Sequence, residues 1–369
     1  MAMLGKCLAA TVAFIAIFLG AIAPMLLSHD AGGWTRKYTT TQFTTNDIPD
    51  LTGKVAIVTG ANTGIGKVTA LELARKGADT FLLARSSTKG KAAVDELKAQ
   101  LPATAKLTFM PLDLASLTSI KSFANDFIKL GKPVHILVLN AGVMKSPGPA
   151  VMSRTFTYGF EMTADGFENH IGVNHIGHFY LTLLLQDTLK KSAPSRVISV
   201  TSGAHGPEAN GYAGGFRYDL WEKQGDDYED GRAYAQSKLA NILFASELAS
   251  RLNGTGVTAY SCHPGLIATE LGRYMMPEME RQATVGGKLA LVGHQLIMAI
   301  FGNAMLTPAD GALTQLYLSG ASDAVNGAYY EPIAHLHPGN HPLIGDAAVA
   351  KTLWEKTEAA IAAKKRWVW

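Results

Sequence analysis

The sequence predicts an α/β fold, one domain built on a doubly wound parallel sheet, and three observations predict it. Short apolar runs at 55–59, 80–84, 107–111, 134–139, 197–201 and 258–262 alternate with longer amphipathic ones. The apolar runs are strand-length and nearly unbroken, the pattern of strands covered by helices on both faces. Between the first of them and the first helix stands a glycine-rich turn, Thr59-Gly-Ala-Asn-Thr-Gly-Ile-Gly66.

Taken in order, the chain begins with an uncharged run of twenty residues, Leu8 to Leu27, behind Lys6, about the length that spans a bilayer. Residues 1–30 are predicted to be an uncleaved membrane anchor. Ala21-Ile-Ala23 also resembles a signal-peptide cleavage site, which Pro24 disfavours. Lys6 on one side and Arg36 with Lys37 on the other leave the orientation open. Residues 31–50, polar and without apolar period, are predicted as a linker, and 51–345 as the folded domain. Its helices are predicted at 67–76, 88–100, 117–130 and 234–252, with another around Asn174. An apolar run at 285–306, broken by Lys288, His294 and Asn303, reads as a core helix or as a substrate lid, placed at 265–307. Residues 346–369 are predicted as a C-terminal helix ending in Lys364-Lys-Arg-Trp-Val-Trp369, suited to lipid headgroups or simply frayed.

Composition excludes several classes. Lysine and arginine total 33 against 30 acidic residues, a net charge of +3 spread along the chain, so no nucleic-acid partner is expected. The two cysteines, Cys7 and Cys262, make no disulfide framework and fit a reducing compartment. Asn253-Gly-Thr255 is a glycosylation sequon that matters only if the domain faces a lumen.

The residues that carry chemistry cluster at strand ends. Gly60, Gly64 and Gly66, with Asn62, Thr63 and Ile65 between them, follow the first strand and open the first helix. That is where a dinucleotide pyrophosphate meets a helix N-terminus in a Rossmann-type fold. After the second strand stands Arg85 where an NAD-binding site would carry a carboxylate. It pairs with a 2′-phosphate, favouring NADP(H), or is a solvated helix-start residue. Asp113, followed by Leu114, accepts from an adenine amino group or caps a helix. Asn140, Ala141 and Gly142 are small residues where backbone approaches the adenine ribose.

Asn174 lies mid-helix, an unfavourable place for asparagine unless it has a task, here a kink with a bound water. His175 and His178 lack a carboxylate or cysteine to complete a metal set, so no metal is expected and packed, hydrogen-bonded histidines are. Ser202, ending the fifth strand, holds a substrate oxygen or caps a turn. Tyr234 and Lys238, one helical turn apart, share a face, so the ammonium is expected to lower the phenol's pKa from its usual ~10 and make it a proton donor and acceptor.

With Asn174, Ser202, Tyr234, Lys238 and His263-Pro264-Gly265 with Thr269, in order and spacing, the chain from Leu51 to Ala334 resembles the short-chain dehydrogenase/reductase family. Gly60 to Lys67, Val173 to Phe179, Ser202 to His205 and Ser237 to Asn241 are similar to its retinol-dehydrogenase-like branch. The resemblance implies Tyr234 as general acid/base, Lys238 on the nicotinamide ribose, Ser202 on the carbonyl, Asn174 on a relay water, and Pro264, Gly265 and Thr269 by the nicotinamide carboxamide. It implies NADP(H), a lipophilic substrate of retinoid, steroid or fatty-aldehyde type, and an endoplasmic-reticulum or other organelle membrane; pairing into a homodimer is left open. Two other readings stay open. Leu112 to Ser116 and Thr163 to Phe167 are similar to light-dependent protochlorophyllide reductases, against which Leu266, where cysteine would follow Pro-Gly, counts. The other is a structural NADP(H)-binding subunit of a membrane complex.

Overall fold

A computed structural model describes residues 43–144, 159–206, 215–267 and 306–365. Six parallel strands form its centre: β1 (Val55–Thr59), β2 (Asp79–Ala84), β3 (Leu107–Pro111), β4 (Ile136–Leu139), β5 (Ser195–Val200) and β6 (Val257–Cys262). Two more that the sequence did not announce, β7 (Tyr329–Glu331) and β8 (His335–His337), extend one edge, β7 parallel to β6 and β8 antiparallel to β7. Both are three residues long, too short to show a period.

The spatial order is β3-β2-β1-β4-β5-β6-β7-β8. The chain leaves β1 in one direction through β2 and β3 and returns beside β1 with β4. The switch point therefore lies between the carboxyl ends of β1 and β4, where such sheets bind ligands. Alternate residues of each strand feed two cores. Ile57, Leu137, Leu139 and Val197 face one layer; Ala56, Val58, Ile136, Val138, Ile198 and Val200 face the other. Burial on both faces is why these runs read as continuous apolar segments.

The second layer holds α1 (Gly64–Arg75), α2 (Ser87–Lys98) and a helix at Pro308–Gly320. The first holds α3 (Leu117–Lys129), α4 (Gly177–Lys191), α5 (Asp230–Arg251) and the C-terminal helix. We call the Pro308–Gly320 helix α6 and the C-terminal one, Ala347–Lys365, α7. Serines start two of them: Ser86 Oγ accepts from Lys89 N at 3.3 Å and Ser116 Oγ from Ser119 N at 3.2 Å, satisfying amides that the helix leaves open. Inside the first layer Trp354 of α7 sits edge-on to Phe179, 4.6 Å between centroids, and stacks on Phe244 at 5.9 Å, with the Arg251 guanidinium 4.4 Å over its ring. The predicted anchor (1–30), residues 31–42 of the linker, residues 268–305 of the lid and the Trp-Val-Trp tail lie outside the described residues. Among the described residues no helix is long and apolar enough to cross a membrane.

Candidate active site

The turn after β1 is built for close approach. Gly60 has φ +64, and a Cβ there would stand 2.8 Å from Ala141 Cα; at Gly66 a Cβ would be 2.3 Å from Asn140 Nδ2 and 2.7 Å from Gly60 O. These glycines let β1, the start of α1 and the turn after β4 interlock. Thr63, at the N-cap of α1, makes no side-chain cap, which leaves the helix's first amides and positive dipole end to an outside group such as a pyrophosphate. The Asn140 Oδ1 atom is buried without a partner, and Gly142 leaves a gap in which a Cβ would already be 3.2 Å from Lys238 Nζ. An orphaned acceptor, an uncapped helix start and a glycine-lined gap at the switch point fit a dinucleotide.

Arg85 is exposed directly after β2. The helix-cap alternative for Asp113 fails, because Ser116 caps α3; Asp113 Oδ1 instead accepts from Ala115 N at 2.9 Å, closing a local turn. Leu114 is buried, its carbonyl so near Gly177 that a Cβ on Gly177 would be 2.6 Å from it.

Tyr234 and Lys238 lie on the face of α5 that packs under β5 and are almost wholly buried. The Lys238 ammonium sits 5.7 Å from the Tyr234 ring centroid and donates to Val200 O at 3.3 Å. Burial pushes the phenol up to about 12, opposed by a hydrogen bond with Ser202, and pushes Lys238 down to about 8. The phenol thus moves opposite to the sequence expectation, because burial outweighs the lowering effect of the Ser202 hydrogen bond. Of the two jobs the sequence left open for Ser202, the structure shows the turn: its Oγ accepts from Ala204 N at 3.3 Å to start a short 3-10 turn, and its hydroxyl also bonds Tyr234.

Asn174 sits in a wide, π-type turn at Gly172–Ile176, as its unfavourable mid-helix position suggested. Its Oδ1 accepts from Val143 N at 2.8 Å, and its Nδ2 donates to Val143 O at 3.0 Å and to Ser237 Oγ at 2.9 Å. Ser237 Oγ in turn donates to Tyr234 O at 2.7 Å. The side chain therefore joins the turn after β4 to the helix of Tyr234. Pro264 and Gly265 follow β6, Gly265 N donating to His263 Nδ1 at 3.0 Å; Thr269 lies outside the described residues.

Two groups escaped the sequence reading. Glu168, buried, accepts from Ile171 N at 2.8 Å and from Tyr228 OH at 3.0 Å and meets His170 Nδ1 at 2.7 Å, placing an imidazole 6.0 Å from the Tyr234 ring centroid. Glu331, at the end of β7, accepts from Tyr329 OH at 3.2 Å, and burial pushes it up to about 7. His178, expected from the sequence as a packed, hydrogen-bonded histidine, is one, and it bridges Thr59 and the Asn174 main chain. The Tyr228 partner of Glu168 lies 60 positions away and the Thr59 partner of His178 lies 119 away, separations that spacing along the chain does not reveal. Among the described residues no group of three or more His, Cys, Asp or Glu can hold a metal ion.

A family model described as short chain dehydrogenase matches residues 54–217. Retinol dehydrogenase 11 of Mus musculus is 42% identical over 283 residues, covering 76% of this chain and 78% of that protein. Retinol dehydrogenase 13 of Homo sapiens is 40% identical over 307 residues, covering 83% of each. Among solved structures, a protein from Mycobacterium Paratuberculosis superposes with a TM-score of 0.62 at 29% identity over 87% of this chain and 97% of that one. The Pseudomonas aeruginosa RhlG/NADP complex shares the fold, with a TM-score of 0.56 at 23% identity over 76% and 95% of the two chains. The chain belongs to the short-chain dehydrogenase family, on its retinol-dehydrogenase-like branch, and is an oxidoreductase of alcohol and carbonyl groups that uses a nicotinamide dinucleotide.

Proposed function

We propose that the chain is an NADP(H)-dependent oxidoreductase that interconverts a lipophilic alcohol with its aldehyde or ketone, of retinoid, steroid or fatty-aldehyde type, at a membrane held by residues 1–30. The observation that carries the reading is the buried Tyr234, hydrogen-bonded to Ser202, with the Lys238 ammonium over its ring. When bound, the dinucleotide supplies or removes a hydride at the carbonyl carbon. Ser202 and Tyr234 hold the carbonyl oxygen between two hydroxyls, and Tyr234 gives it a proton as negative charge develops. Lys238, whose charged form burial disfavours, is a positive charge placed to stabilise the tyrosinate left behind and to hold the nicotinamide ribose. Asn174 fixes Val143 and Ser237 on either side and holds the relay water. Gly60, Asn62, Thr63, Gly64, Ile65, Gly66, Asn140, Ala141, Gly142, Pro264 and Gly265 line the dinucleotide. Arg85 takes its 2′-phosphate, Asp113 and Leu114 its adenine.

The reading is supported by relatives that carry the name retinol dehydrogenase and by the absence of a carboxylate at the end of β2. It is tested by oxidation of NADPH and NADH by the detergent-purified chain with retinal, long-chain aldehydes and ketosteroids, repeated with Arg85→Glu. Faster turnover with NADPH, and a preference that Arg85→Glu shifts towards NADH by tenfold or more (about 1.4 kcal/mol), is the expected outcome. NADPH binding without turnover on any carbonyl, in light or dark, would favour a structural role; turnover only under illumination would favour the light-driven one.

A further inference from the structure

His178, at the start of α4, is buried and belongs to neither the dinucleotide turn nor the Tyr234 helix, yet it touches both of the segments that serve them. Its Nδ1 is 3.0 Å from Asn174 O and its Nε2 is 2.9 Å from Thr59 Oγ1. A carbonyl oxygen only accepts, so Nδ1 carries the hydrogen. Burial, with the nearby Lys238 charge, pushes the imidazole down to about 3, so at neutral pH it is uncharged and Nε2 is a bare acceptor. The Thr59 hydroxyl must then donate to Nε2 rather than to Val138 O, which is farther at 3.4 Å. Its two lone pairs take the amides of Asn140 and Ala141, each at 2.9 Å. Every donor and acceptor in this row is used once. The opposite tautomer would set the Nδ1 lone pair against that of the carbonyl.

We infer that His178, held as the Nδ1–H tautomer between the Thr59 hydroxyl and the Asn174 carbonyl, is a positioning residue that ties the dinucleotide turn to the helix carrying Asn174. With the Asn174 side chain bonded to Val143 and, through Ser237, to Tyr234, the row closes a circuit: Asn140 and Ala141, Thr59, His178, Asn174, and back to Val143. Within the wide turn at Gly172–Ile176 the His178 side chain bonds the Asn174 carbonyl, a side-chain hold on that main chain. Where the circuit is intact, the residue that steadies the proton relay cannot shift relative to the turn that lines the dinucleotide. The inference rests on the role proposed above for Asn174.

The test joins a spectrum to kinetics. Nitrogen-15 histidine NMR of the full chain without cofactor, with the His178 signals assigned by their loss in His178→Asn, is expected to show protonated Nδ1 and bare Nε2, unchanged from about pH 5 to 8. An Nε2–H tautomer, or a ring that titrates there, overturns the inference whatever the enzyme does. His178→Leu removes both bonds and is expected to lower kcat about tenfold while the Kd for NADPH, whose turn Thr59 still holds, changes less than about threefold. His178→Asn keeps a donor where Nδ1 stood and is expected to bring kcat back to within about threefold of the natural chain. Unchanged kcat in His178→Leu, a loss expressed only in Kd, or no rescue by asparagine in a variant that melts normally would each contradict it. Failure of Tyr234→Phe to reduce turnover would instead strike the functional reading and leave the spectral result standing.

Discussion

Replacing Gly142 by alanine separates a site effect from a folding effect. Gly142 does not occupy the left-handed region, so alanine brings no backbone strain, in contrast to Gly60 at φ +64. An added Cβ would stand 3.2 Å from Lys238 Nζ and 3.4 Å from Asn174 Oδ1, and no other described residue beyond its two chain neighbours comes within 4 Å. The ammonium, tied to Val200 O, must give by a few tenths of an ångström. On stability, removing a glycine from the unfolded chain contributes about 0.4–1 kcal/mol, which the tight contact partly offsets. The Tm of Gly142→Ala is therefore expected within about 3 °C of the natural chain. On function, misplacing a reacting group by about 1 Å costs up to about a hundredfold, so a smaller shift of Lys238, with the methyl in the dinucleotide gap, predicts a loss of about tenfold in kcat/KM and a weaker NADPH Kd. Thermal melts, NADPH binding by fluorescence and steady-state oxidation check all three. A Tm lowered by 10 °C or more (above about 2 kcal/mol) would mean the turn is held otherwise than argued, and unchanged kinetics would mean that nothing binds in the gap.

Two further outcomes follow from the packing. Glu331 sits buried with its carboxyl pushed up to about 7 from 4.5. The folded chain thus binds the proton more tightly than the unfolded one, and stability contributed by the neutral acid is full below pH 4.5 and falls as pH rises to about 7, by at most about 3 kcal/mol. Glu331→Gln should be more stable than the natural chain at pH 8 and lack this fall; denaturant melts that parallel the natural chain at every pH would refute the assignment. Trp354→Ala removes an indole packed on Phe179, Phe244 and Arg251 and should cost about 3–5 kcal/mol, read as a lower urea midpoint; a cost under about 1 kcal/mol would mean α7 does not cover this core.

The six central strands were legible because both of their faces are buried, which leaves unbroken apolar runs; boundaries moved by two residues at most. The edge pair β7–β8 was not legible, since its order comes from β6 and from contacts such as Tyr329 with Glu331. In the site, Gly60, Gly66, Asn140, Tyr234 and Lys238 announced themselves by spacing, and the structure brings them to one end of the sheet. The direction of the Tyr234 shift did not, because spacing puts Lys238 on the right face but says nothing of how deeply the pair is buried. Asn174's odd position signalled a task without revealing that its carbonyl is held by His178 four residues on. Glu168, His170 and Tyr228 illustrate the same limit: the carboxylate and the phenol lie 60 positions apart in the chain.

The central claim is that Tyr234 is the proton donor of a carbonyl reductase, and it is tested most directly by Tyr234→Phe, which removes one hydroxyl and keeps the ring beneath Lys238. With retinal and NADPH, turnover should fall at least about a hundredfold while the NADPH Kd and the Tm stay close to those of the natural chain. Turnover within a few-fold of the natural chain, in a variant that binds NADPH normally, would contradict the account.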